Sequence, residues 1–360
     1  MDVSKLDKNL AIETTVADVP DVVWYDVTEA PFDLYGLWKP EPGKPFCRMD
    51  PAVAEQVNPG VKSLNFHTAG GRVRFGTDSR YVVIHAVYPS LDVMPHMAIS
   101  GQGGFDMYSD EGEASIYRNT FMPSVDAKHG YDSAARFDDR RMRYFTIDFP
   151  LYNRVTSLHI GLQKDAVVTG GARYAVEKPV VYYGSSITQG GCASRPGNSY
   201  QAIISRRLNC DHINLGFSGN GRGEQAMAEY IADLPCSVFV MDYDHNAPDP
   251  EYLAATHERM YRIFRQKQPE TPVIFVSRPG VEKDHKFGDT YRRRRVIMDT
   301  LHKAVEEGDR NVRFVDGASF FARPAGDVAT VDGTHPNDFG FVCMAEQIGP
   351  VVAGFLGRTY

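Results

Sequence analysis

The feature that most constrains this chain is a rhythm in its second half. From residue 178 onward the short apolar runs VVYYG, INLGF, SVFVMDYD, PVIFVS and VRFVDG alternate with longer segments of helical pattern around 198–209, 223–233, 250–267, 289–306 and 337–355. The runs are continuously apolar, as strands covered by helices on both faces can be. The rhythm predicts a doubly wound α/β sheet of five parallel strands. In such sheets the reactive groups gather in loops beyond the carboxyl ends of the strands.

The first half is punctuated differently. Residues 63–79, SLNFHTAGGRVRFGTDS, read as two strands joined by a Gly-Gly hairpin. RYVVIHAVY, HMAISGQGGFDMYSD, ASIYRNTFM and YFTIDF continue the pattern at the spacing of an all-β sandwich. No convincing amphipathic helix interrupts them. The change of rhythm predicts a β-sandwich accessory domain over 1–174 and an α/β domain over 175–360, which suits a chain of 360 residues at about 150 per domain.

The predicted strand ends carry the chemistry. After the first comes GSSITQGG (184–191), after the second NLGFSGNG (214–221), after the third MDYDHNAPD (241–249), and beyond the fifth VDGTHPND (331–338). A serine hydroxyl attacks a carbonyl poorly unless a base takes its proton, and the base needs a carboxylate to fix its tautomer. Ser186, His335 and Asp332 fit those three roles, with Asp332 three residues before His335 in one tight loop. Pro336 suits the first turn of the following helix. The oxyanion of the tetrahedral intermediate needs preset donors, which the backbone N–H groups of Ser186 and Gly219 and the amide of Asn246 can supply.

These four blocks resemble those of the SGNH hydrolases, with GSSI standing for the GDSL-type block, SGN for the second, DHN for the third and DGTHP for the DxxH block. The Asp of GDSL is Ser185 here, and the usual GxND becomes DYDHN. The resemblance implies a flavodoxin-like three-layer α/β/α domain and a serine esterase acting through an acyl-serine. GFDMY (104–108), FPLYNRV (149–155), ATHE (255–258) and the closing HPND extend it to a branch with an amino-terminal, jelly-roll-like sandwich named for a GxDLY motif. By family, the expected substrate is a small-molecule or oligosaccharide ester, with a short O-acetyl group on a carbohydrate preferred. An acyltransferase and a non-catalytic glycan-binding protein are the alternatives.

Each of these residues also has a plainer reading. Ser186 could merely cap the helix that follows, and Asn246 could close a turn ahead of Pro248; separately, Ser185 is the alternative attacker when GSSI is aligned on GDSL. Asp242, Asp244, His245 and Asp249 lack the paired spacing of a metal site, and no metal or cofactor is expected. RRRR (292–295) reads as the start of a helix whose arginines are solvated or paired with Glu306 and Glu307. Trp24, Tyr25, Tyr35 and Trp38 could stack on sugars or pack in the core. GFDMY could pack Phe105 and Tyr108 inside while Asp106 bonds a loop, or could reach across the cleft.

Composition excludes other classes. With 39 Lys plus Arg against 46 Asp plus Glu, the net charge of −7 disfavours nucleic acid as a partner. The start, MDVSKLDKNLAIETTVADV, lacks a leader pattern and no run of 18 apolar residues follows, so a cytoplasmic protein with no membrane partner is expected. Five scattered cysteines without a CxxC pair read as reduced thiols. A homo-oligomer is compatible with these residues and is not demanded by them.

Overall fold

The computed structural model describes residue 19 and residues 21–112, 114–279, 289–321 and 326–360; the amino-terminal stretch read above for a leader lies outside them, apart from Val19. The first half contains β1 (Val22–Asp26), β2 (Asp33–Tyr35), α1 (Pro51–Val57), α2 (Pro59–Leu64), β3 (Arg72–Thr77), β4 (Tyr81–Val87), α3 (Ile99–Gln102), β5 (Phe105–Glu111), β6 (Ala114–Phe121), β7 (Gly130–Arg136), β8 (Arg143–Asp148), β9 (Ser157–Gln163) and β10 (Val168–Gly170). They form two antiparallel sheets, β1-β9-β4-β7 and β10-β3-β8-β5-β6, with β2 added to β3. The two-residue period of a strand sends Ile84 and Ala86 into the space between the sheets and His85 outward. Val73, Phe75, Phe105, Phe145 and Ile160 fill the same core.

Two local expectations fail here. Residues 63–79 are not a hairpin: only β3 forms, Val61–Leu64 lie in α2, and His67 makes a lone bridge to Arg154. Helices do interrupt the sandwich. Asp50 accepts from Ala52 N at 2.9 Å and Asn58 from Val61 N at 2.8 Å, each followed by a proline at the first helical position, so α1 and α2 start on cap-plus-proline signals. Their apolar residues Ala54 and Val61 pack with Phe217 and Met227 of the second half.

The second half runs β11 (Val176–Gly184), α4 (Ser186–Gln189), α5 (Tyr200–Leu208), β12 (Cys210–Gly216), α6 (Gln225–Asp233), β13 (Val238–Asp242), α7 (Pro250–Lys267), β14 (Val273–Val276), α8 (Thr290–Glu306), β15 (Val312–Val315) and α9 (Asp338–Leu356). The five strands are parallel in the order β12-β11-β13-β14-β15, the three-layer arrangement the resemblance implied. Tyr182 and Val180 face the layer of α5 and α9, while Tyr183 and Val181 face that of α6, α7 and α8. Chain order reverses at β11, whose neighbours lie on opposite sides, so a crevice opens beyond its carboxyl end. Among the described helices, α9 is long and apolar enough to span a bilayer, yet Phe341, Met344, Ala345 and Ile348 are buried in the core with Tyr200.

Polar contacts lock the halves together. The buried Arg48 guanidinium donates to the carbonyls of Asn214 (3.2 Å), Gly216 (2.6 Å) and Leu64 (2.7 Å) and lies 4.4 Å from the Phe217 ring centroid. Arg72 pairs with Asp211 and donates to the His212 carbonyl. All five cysteines are free thiols.

Candidate active site

Ser185 and Ser186 divide two roles between them. The Ser185 hydroxyl accepts from Ile187 N at 3.1 Å, and Ser185 N donates to the Thr188 hydroxyl at 3.1 Å, so Ser185 caps α4. This leaves Ser186 at the first helical position, buried to 8 % exposure, with its Oγ 2.9 Å from His335 Nε2. The turn requires Gly184: a Cβ there would lie 2.2 Å from the Asp242 carbonyl oxygen.

His335 is held from one side by Asp332. Asp332 Oδ2 lies 2.7 Å from His335 Nδ1, and Oδ1 accepts from His335 N at 2.8 Å and Thr334 N at 3.0 Å. Partial burial alone would raise the Asp332 pKa, but these hydrogen bonds and the charge of His335 bring it down to about 2. The loop is closed by Val331 N donating to the His335 carbonyl and by the Thr330–Pro336 bridge. Pro336 thus stands ahead of the cap, Asn337, rather than inside the first turn of α9.

The second and third blocks pack against the first. Phe217 N donates to the Gly184 carbonyl at 2.9 Å, and Ser218 N to Gln189 Oε1 at 3.0 Å. Gly219 has φ +69°, a conformation glycine adopts without a steric penalty. Among the described residues, neither Gly219 N nor Ser186 N donates to another protein group. Asn246 Nδ2 donates one hydrogen to the Phe217 carbonyl at 2.9 Å, and its amide carries a second. The loops bearing Ser186, Gly219 and Asn246 are therefore contiguous.

Residues outside the four blocks support the site; the roles of Arg293 and Tyr152 were not legible in the sequence, while Asp106 takes the loop-bonding role read there. Arg293 of the RRRR run is buried, and it donates to the carbonyls of Asp244 (2.6 Å), Ala247 (2.7 Å) and Pro248 (3.3 Å), clamping the turn that carries Asn246. Arg292 and Arg295 are exposed, as the solvated alternative had it, and the ion pairs formed are Arg292 with Glu251 and Arg294 with Asp316 rather than with Glu306 or Glu307. Tyr152, from the FPLYNRV segment, donates its hydroxyl to the Ser186 carbonyl at 3.1 Å. Asp106 of GFDMY lies in β5 and accepts from Gly197 N at 3.0 Å and from the Tyr108 hydroxyl, so that motif bonds the loop ahead of α5. Trp24 instead meets His85 at the surface, and Tyr35 meets Tyr174.

The carboxylates near β13 have structural partners, whereas the buried His245 Nδ1 has none among the described residues. Asp242 accepts from the Thr188 hydroxyl (3.1 Å) and the Tyr200 hydroxyl (3.0 Å), and burial, then the nearby Asp244, raise its pKa to about 8. Asp244 accepts from Arg278 N, and Asp249 caps α7. Desolvation, then Arg278 and His335, press His245 down to about 3.

A family described as GDSL-like lipase/acylhydrolase matches residues 177–353, and one described as the N-terminus of SGNH-hydrolase-type esterases, GxDLY, matches 22–168. Among curated proteins none matches. A solved structure named as a GDSL-like lipase of Bacteroides ovatus is 27 % identical with a TM-score of 0.85, covering 94 % of this chain and 99 % of that one. A salicylyl-acyltransferase from a tetracycline biosynthetic pathway shares the fold at 18 % identity, TM-score 0.75, covering 93 % of this chain and 98 % of its own. So does a family two carbohydrate esterase from Clostridium thermocellum, solved with cellohexaose, at 13 % identity and TM-score 0.60, covering 91 % and 99 %.

Proposed function

The chain belongs to the GDSL-like lipase/acylhydrolase family through residues 177–353 and carries the amino-terminal domain of SGNH-type esterases on 22–168; from that premise we propose that it hydrolyses short O-acyl esters, acetyl esters of carbohydrates foremost, through an acyl-serine at Ser186. The single observation that carries the reading is the file of hydrogen-bonding atoms from Ser186 Oγ to His335 Nε2 (2.9 Å) and from His335 Nδ1 to Asp332 (2.7 Å).

His335 takes the Ser186 proton as the oxygen attacks the ester carbonyl. Ser186 N, Gly219 N and the second Asn246 N–H receive the negative charge that develops on the carbonyl oxygen. The C–O bond to the alcohol breaks, and the alcohol leaves with the proton His335 holds. Water then gives a proton to His335 and attacks the acyl carbon, which releases the carboxylic acid and restores Ser186. Asp332 holds the imidazole in the tautomer with its proton on Nδ1, leaving Nε2 free to accept.

The carbohydrate preference draws on the fold shared with the family two carbohydrate esterases, and a second reading, transfer to an alcohol acceptor, on the fold shared with the salicylyl-acyltransferase. Both use the same acyl-serine. The test compares p-nitrophenyl acetate with its octanoate, then measures acetate release from acetylated oligosaccharides with and without added alcohols. The proposal expects kcat/KM for acetate to exceed that for octanoate by at least about tenfold, with free acetate the main product. Preference for the long chain, or acyl alcohol as main product, would overturn it.

A further inference from the structure

The loop from β4 to α3 brings His96 of the sandwich half to the catalytic face, where its ring centroid lies 6.0 Å from that of His335. Cys192 follows the Gly190–Gly191 turn at φ +75°, a value rare for a residue with a side chain. One ligand atom from each of His96, Cys192 and His335 lies within 4.8 Å of the others. We propose that this trio is a binding site for a soft divalent cation, Zn2+ by its chemistry, and that occupancy switches the esterase off reversibly. The inhibitory half of the proposal rests on the role given to His335 above; the binding half does not.

One thiolate and two imidazoles form a three-ligand set suited to Zn2+, whose fourth position is left for water or the Ser186 oxygen. Tetrahedral bonds of about 2.0–2.3 Å place ligand atoms roughly 3.3–3.6 Å apart. His96 is exposed, so rotation of its side chain can shorten its own distances to the other two ligand atoms. His335 is already prepared: with Nδ1 held by Asp332, the nitrogen that can ligate is Nε2, which exchanges its contact with Ser186 Oγ for the metal, and a carboxylate behind an imidazole is the outer arrangement that orients histidine toward zinc. When the metal–sulfur bond forms, the Cys192 proton passes to solvent. The nitrogen that accepts the Ser186 proton is then coordinated, and attack stops.

The test uses the full-length enzyme. Zn2+ is expected to inhibit ester hydrolysis, with recovery on adding a chelator. His96→Ala and Cys192→Ser, both outside the proposed acyl-transfer machinery, should keep basal activity and require at least about tenfold more Zn2+ for half-inhibition. Co2+ added to the native protein should produce a thiolate-to-cobalt charge-transfer band that Cys192→Ser lacks. Equal Zn2+ sensitivity of native protein and both variants, or no such band, overturns the site. A band that appears while activity persists upholds the binding site and overturns the role of His335.

Discussion

Asp332 grips His335 twice, taking the backbone N–H on Oδ1 at 2.8 Å and facing the ring Nδ1 with Oδ2 at 2.7 Å. One carboxylate thus sets both the turn and the tautomer. Asp332→Asn keeps the shape but presents an amide to the ring, so the wrong tautomer is favoured; kcat/KM should fall by roughly 1,000- to 10,000-fold with KM little changed, measured on p-nitrophenyl acetate. Because the Asp332 pKa is about 2, its carboxylate stays ionised well into acid.

The Asn246 amide spends one hydrogen on the Phe217 carbonyl and has one left for an oxyanion. Asn246→Ala is predicted to lower kcat about 100- to 1,000-fold, the effect of losing one preset donor. A loss seen chiefly in KM would mean that Asn246 binds ground-state substrate instead.

Arg293 acts one step behind Asn246. Its three carbonyl partners lie 45 to 49 residues earlier in the chain. Arg293→Met leaves those carbonyls without their donors and frees the turn, so Tm should drop by roughly 2–10 °C and kcat by about tenfold or more. Scanning calorimetry and initial rates check the two effects separately.

Asp242 gives a pH-dependent signature. Its folded pKa, about 8, lies above the ordinary 3.8, so between those values the folded chain holds a proton that the unfolded chain has lost. Stability from this group is therefore complete in acid and declines as pH rises toward 8. Asp242→Asn removes that dependence: the Tm difference, variant minus native, should grow more positive from pH 5 to pH 9. A constant difference would show that Asp242 is ionised in the fold.

What could be read from the chain divides along physical lines. The five parallel strands are continuous apolar runs, and their ends carry Ser186, Gly219 and Asn246, so local pattern was enough to find them. Asp332 and His335 were visible because three residues is a reach one loop can span. The first half was harder. Asp50-Pro51 and Asn58-Pro59 are helix-start signals that could have revealed α1 and α2, but Gly70-Gly71 beside apolar residues imitated a hairpin. Arg48, Arg293 and His96 were out of reach, since their partners lie far along the chain and only the assembled fold brings them together.

Whether Ser186 is the nucleophile is read out by reaction with a fluorophosphonate followed by intact mass and peptide mapping. One adduct is expected, on the peptide containing Ser186, lost in Ser186→Ala and retained in Ser185→Ala. An adduct on Ser185 or any other residue, or full labelling of Ser186→Ala, would contradict the account.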